Sequence, residues 1–105
     1  MISTWLSDFI QYLRYEKRYS QHTLIAYDKD LHQFFDYTSD QFSITEITEV
    51  THFHIRSWLA EMKDGKHSAR TLNRKLSALT SFYKYLLKQG AVEKNPVKKV
   101  PFLFW

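Results

Sequence analysis

Five histidines are the first candidates for chemistry: His22, His32, His52, His54 and His67. His52 and His54 are two positions apart, so on a helix their rings diverge by roughly 160°. Neither has an acid or a second histidine four residues on, and no His-Glu-x-x-His pattern occurs. They read as capping or surface residues, and no metal site is expected. The only glycines, Gly65 and Gly90, are too far apart to cradle a phosphate, and no Gly-x-Ser-x-Gly elbow is present. The carboxylates are scattered, without an apolar pocket to raise one of them. No catalytic residue and no cofactor are expected.

Binding of a polyanion fits better. Between Ser68 and Gly90, a helical spacing puts Arg70, Arg74, Ser77, Ser81, Lys84 and Lys88 on one stripe, with no acid among them. Solvated faces usually mix both signs of charge. Two helix starts, Ser20-Gln21-His22-Thr23 and Lys66-His67-Ser68-Ala69-Arg70-Thr71, open on hydroxyl, histidine or basic residues. Free N–H groups and the positive end of the helix dipole make such starts good phosphate seats. Lys66, His67 and Arg70 add charge at the second, and Arg74 lies one turn on, where a guanidinium could reach a guanine edge. Ser77, Ser81 and Lys84 continue that face. On the earlier helix the matching face begins with His22, Ala26, Lys29 and Gln33, then turns acidic at Asp36 and Asp40. Asp28 and Asp30 flank it and limit its approach to a polyanion to the first two turns.

Four helices must position these residues. The first is expected from Ser3 to near Arg18, with Ile2, Trp5, Phe9 and Leu13 as its apolar stripe and Arg14, Lys17 and Arg18 in its last turns. The second runs from an N-cap at Ser20 to about Thr38, burying Leu24, Tyr27, Leu31, Phe34 and Phe35. Residues 39–51 form a polar connection anchored by Ile44, Ile47 and Val50. Thr51 caps a third helix with Ile55, Trp58, Leu59 and Met62 inward, and Lys63-Asp64-Gly65-Lys66 is expected as a turn with Gly65 at positive φ. The fourth helix follows, capped by Ser68 and Gly90, with Leu72, Leu76, Leu79, Tyr83, Leu86 and Leu87 buried. Asn95-Pro96 is a stop.

The whole chain, 105 residues with 44% hydrophobic and 17% aromatic content and no cysteine, suits one mainly helical domain without a disulfide framework. Its net charge of +4 is unevenly spread: residues 1–62 carry −4 and residues 63–105 carry +8. A basic half beside an acidic half points to a polyanionic partner for one face. The N-terminus lacks the pattern of a signal peptide and no stretch is apolar enough to span a bilayer, so a soluble, intracellular protein is expected. The tail Phe102-Leu103-Phe104-Trp105 is costly to leave in water, and reads as packing back on the core or standing in for a longer continuation.

At Tyr19–Leu31 and Ser68–Leu86 the chain resembles a known family, the N-terminal core-binding domain of tyrosine recombinases of the phage-integrase and Xer type. Ser20, Thr23, Tyr27, Asp30 and Leu31 match its Ser-x-x-Thr-x-x-x-Tyr-x-x-Asp-Leu helix. Leu72, Leu76, Phe82, Tyr83, Tyr85, Leu86 and Asn95-Pro96 match its second pattern, a Ser-hydrophobic-Arg helix running to Phe-Tyr-x-Tyr-Leu and a short loop. The resemblance covers about residues 3–97.

It implies an all-α, four-helix SAM-like bundle that clamps duplex DNA, with the second and fourth helices facing the major groove. Carried over residue by residue, the implied DNA contacts are Ser20, His22, Thr23, Ala26 and Lys29 on the second helix and Arg70, Thr71, Arg74 and Ser77 on the fourth. It also implies a prokaryotic, cytoplasmic, nucleoid-associated protein, sister recombinase protomers as further partners, residues 1–97 as the domain and residues 98–105 as the start of a linker or a truncated tail. The family's catalytic Arg, Lys, His or Trp and Tyr residues lie in a separate C-terminal domain, and this chain has none of them. His67-Ser68-Ala69-Arg70 spells the family's His-x-x-Arg by accident, at the start of the DNA-facing helix. Two alternatives remain beside this reading: a helical protein-interaction module, with the aromatic tail docking on a sister chain, and a stand-alone DNA-binding regulator.

Overall fold

The computed structural model describes residues 2–65 and 67–99. Lys66 and the tail Phe102–Trp105 lie outside the described residues. Helices α1 (Ile2–Tyr15), α2 (Gln21–Phe42), α3 (His52–Asp64) and α4 (Ala69–Lys88) are joined by short connections, with 3-10 turns at Ile47–Glu49 and Pro96–Lys99. No strand occurs among the described residues, so the all-α class and the four helices stand as expected.

Each helix owes its place to an apolar stripe. Leu6, Phe9 and Leu13 of α1, Leu24, Leu31, Phe34 and Phe35 of α2, and Ile55, Trp58 and Leu59 of α3 are buried around α4. On α4 itself, Leu72, Leu76, Leu79, Tyr83 and Leu86 are buried as the helical spacing requires, Phe82 is buried with them, and Leu87, expected inside, is only half-buried. Phe82 is the hinge of the packing, with its ring centroid 5.3 Å from Phe9 of α1 and 5.7 Å from Phe35 of α2 in edge-to-face geometry. Trp58 meets Phe34 in the same way at 5.1 Å. Ile44, Ile47 and Val50 pin the α2–α3 connection to this core. Tyr83 buries its ring and donates its hydroxyl to the Ile47 carbonyl at 2.9 Å, so it is a structural tie and not a free nucleophile. Burial holds its hydroxyl far above the usual tyrosine range.

The helix ends show where local rules won and lost. At the end of α4, Ala91 N–H bonds the Leu86 carbonyl and Gly90 N–H bonds that of Leu87, with Gly90 at φ 74°. This is a Schellman cap that needs a left-handed residue at that place. Gly65, expected at positive φ, has φ −79°. Helix α3 runs on through Asp64, and Gly65 simply continues its turn by donating to the Glu61 carbonyl at 3.0 Å. The left-handed positions are instead Arg18 and Ser43, at φ 54° and 55°. Helix α1 ends at Tyr15, so only Arg14 lies in its last turn, while Lys17 and Arg18 belong to the connection. Helix α2 outruns the expected end at Thr38 by a full turn, because Phe42 packs on the core and Ser43 supplies the left-handed cap.

Candidate nucleic-acid interface

The two helix starts singled out in the sequence are built alike. Ser20 takes an extended conformation and its Oγ accepts the Thr23 N–H at 3.2 Å, while the Ser20 and Thr23 hydroxyls lie 3.0 Å apart. Ser68 repeats this on α4: its Oγ accepts the Thr71 N–H at 3.1 Å and donates to Thr71 Oγ1 at 3.0 Å. In both helices intrahelical bonding starts at the next residue, with Leu24 on Ser20 and Leu72 on Ser68. The N–H groups of Gln21 and His22, and of Ala69 and Arg70, thus precede the helical ladder and stay available to an anion. Neither first turn contains an acid.

Helices α2 and α4 pack against each other. Asp30 of α2 is bonded by Arg74 and Lys75 of α4. The seam brings the two polar stripes side by side: His22 and Lys29 are exposed and Thr23 and Ala26 half-buried on α2, beside exposed Arg70, Arg74, Ser77 and Lys84 and half-buried Thr71 and Ser81 on α4. His67, Ser68 and Ser20, at the starts of the two helices, are also exposed.

The sequence reading missed what lies under the face. Asp30 is 1% exposed. Arg74 grips it with a fork, Nε to Oδ2 and Nη2 to Oδ1, each at 2.9 Å. Lys75, 3% exposed, donates to Oδ1 at 2.9 Å and also to Gln33 Oε1, and its ammonium lies 5.7 Å from the centre of the Trp58 ring. One carboxylate is thus shared by two cations, and the hydrogen bonds to Asp30 push the Arg74 guanidinium pKa further up. Asp30 was expected to flank the face as a repulsive charge; it is buried and more than neutralised. Asp28 turns the other way, to a cleft it lines with Ser7, Ile10, Gln11 and Arg14 of α1, and sits 3.3 Å from His32. A signal for the cluster did exist: Lys75 falls on the apolar stripe between Leu72, Leu76 and Leu79, where an unpaired ammonium could not be buried.

No group of three or more histidine, cysteine or acidic residues poised for a metal occurs among the described residues. His54 serves the backbone: its Nδ1 accepts the Thr51 N–H at 3.0 Å, closing a capping box at the start of α3. No described helix is long and apolar enough to cross a membrane.

The family described as phage integrase, N-terminal SAM-like domain, matches residues 6–90. The chain belongs to that family. Similar proteins include tyrosine recombinase XerC of Anoxybacillus flavithermus, 38% identical over 91 residues that make up 87% of this chain and 30% of that protein. The tyrosine recombinase XerC of Halalkalibacterium halodurans is 36% identical over 110 residues, covering 95% of this chain and 36% of the relative. That of Natranaerobius thermophilus is 40% identical over 90 residues, 86% of this chain and 30% of the relative. The chain thus spans about a third of the length of the curated relatives it matches. No solved structure matches it significantly. The resemblance drawn from the Ser20–Leu31 and Ser68–Leu86 patterns is borne out.

Proposed function

We propose that this chain is the DNA-clamping module of a site-specific tyrosine recombinase, gripping duplex DNA with the α2/α4 face and supplying no chemistry of its own. The observation that carries the reading is the exposed cation set of α2 and α4, Lys29, Arg70, Arg74 and Lys84, on two helices whose starts have free N–H groups and no acid in their first turns. In this reading Ser20, His22, Thr23, His67, Ser68 and Thr71 seat phosphates at the two helix starts, with Lys66 beside the second. Arg70, Arg74, Ser77, Ser81 and Lys84 follow the groove, and half-buried Ala26 lets the backbone of α2 come close. Residues 1–97 are the module and residues 98–105 lead into a linker. Its place is the cytoplasm of a prokaryotic cell, at the nucleoid, alongside sister recombinase protomers.

Four exposed cations meeting four phosphates give log K a slope of about −3.6 against log[salt], hence a loss of about 150-fold between 50 and 200 mM salt. Fluorescence anisotropy of a labelled mixed-sequence duplex measures this, with a dissociation constant of about 10⁻⁴–10⁻⁶ M expected near physiological salt. No binding at the low-salt end, or affinity indifferent to salt, removes the DNA reading.

A further inference from the structure

The fork between Arg74 and Asp30 uses only two of the five guanidinium N–H groups. The Arg74 side chain remains 45% exposed, so the other donors stand at the open edge of the α2/α4 face. Asp30 cannot follow a moving arginine, because Lys75 holds the same carboxylate from the buried side and is itself held by Gln33. Such a fork has already lost the rotamer freedom that a long cationic side chain ordinarily surrenders on contact. We propose that Asp30 is a positioning residue for DNA binding, an anion under the face that fixes the guanidinium of Arg74 with its free N–H edge toward the phosphate backbone of the duplex. The proposal rests on the DNA-binding reading above.

The sign of one measurement separates this role from simple charge. Against a polyanion, removing a carboxylate should strengthen binding if only net charge counts. If Asp30 aims Arg74, removing it weakens binding. Pairing Asp30→Asn with Lys75→Met deletes one negative and one positive charge, so the chain's net charge is kept while the fork is released. With a labelled mixed-sequence duplex in low salt, this double variant is expected to bind roughly tenfold more weakly than wild type, the scale of a lost charge-assisted contact. Arg74→Ala should cost a similar factor in the wild-type background and little more in the double variant. The idea fails if the double variant binds as tightly as wild type or tighter, or if Arg74→Ala costs the same factor in both backgrounds. Should the double variant not fold, Arg74→Lys at this half-exposed position takes over. It keeps the charge but cannot fork across both carboxylate oxygens, so it should bind like Arg74→Ala, and wild-type affinity in it overturns the role of Asp30. A wild-type chain that ignores duplex DNA overturns the DNA reading and this role with it, whereas wild-type binding without the coupling sinks only the positioning role.

Discussion

Replacing Asp30 by Asn is the sharpest test of what holds α2 to α4. Three charge-assisted hydrogen bonds of 2.9 Å converge on this carboxylate. Arg74, with 45% of its side chain exposed, can return to water at little cost. Lys75 cannot, because its side chain is 3% exposed and walled by Trp58. Asp30→Asn therefore leaves an ammonium buried without an anion, a situation that costs about 3–5 kcal/mol. Against a domain stability of about 5–15 kcal/mol, that is a large fraction. At about 4–8 °C per kcal/mol for a domain of this size, the melting temperature should fall by roughly 12 °C or more. Lys75→Met should be far milder, because Asp30 keeps the Arg74 fork and a thioether suits the face of Trp58. The double variant should regain much of the loss, because it removes the buried ammonium together with its anion. Urea and thermal melts followed by circular dichroism measure all four chains. An Asp30→Asn variant within about 1 kcal/mol of wild type would refute the reasoning. So would a double variant no more stable than Asp30→Asn alone.

The two glycines should answer differently to alanine. Gly90→Ala, at φ 74°, should cost about 1 kcal/mol by straining the Schellman cap. Gly65→Ala, at φ −79° with its new Cβ no closer than 3.4 Å to the Met62 carbonyl, should be neutral or stabilising by up to about 1 kcal/mol in the same urea melts. Acidification should loosen the α2–α3 connection in two steps. Burial holds the His54 imidazole below its ordinary pKa, so the unfolded chain binds its proton first; that stabilisation is complete above about pH 6.5 and is lost as pH falls through the folded value. Glu49 accepts the Thr45 and Glu46 N–H groups, which hold its carboxyl below its usual range, so its contribution is present above that range and lost at lower pH still. His54→Gln keeps an acceptor for the capping box and should flatten the upper step in a pH series of urea melts; an unchanged slope there would assign it to another histidine.

Much of the fold was legible because its signals are local. Ser20, Thr51 and Ser68 each announce a helix three residues ahead of the N–H they serve, and the Leu72–Leu86 stripe fixes which face of α4 is inward. The candidate face was legible for the same reason: one helical period lists its residues. What could not be read locally is the Asp30 cluster, since its partners stand 44 and 45 residues away. A helical wheel shows Asp30 as a charge beside the polar face; only the packing of α4 against α2 turns it inward onto two cations. Gly65 failed for a different reason. Glycine permits positive φ without demanding it, and the continued α3 turn asks for an ordinary backbone there.

The span between Asp30 and its cations also bears on the order in which the chain is made. A ribosome delivers the carboxylate 44 residues before the guanidinium that grips it. Until Arg74 and Lys75 have emerged, closing α2 over Asp30 would strip a charge of its water with nothing to replace it. The nascent acidic half must keep that side of α2 wet, and the bundle can close only when the basic half arrives. A chain cut short before α4 therefore lacks both the apolar stripe that the other helices pack around and the two cations that allow Asp30 to be buried.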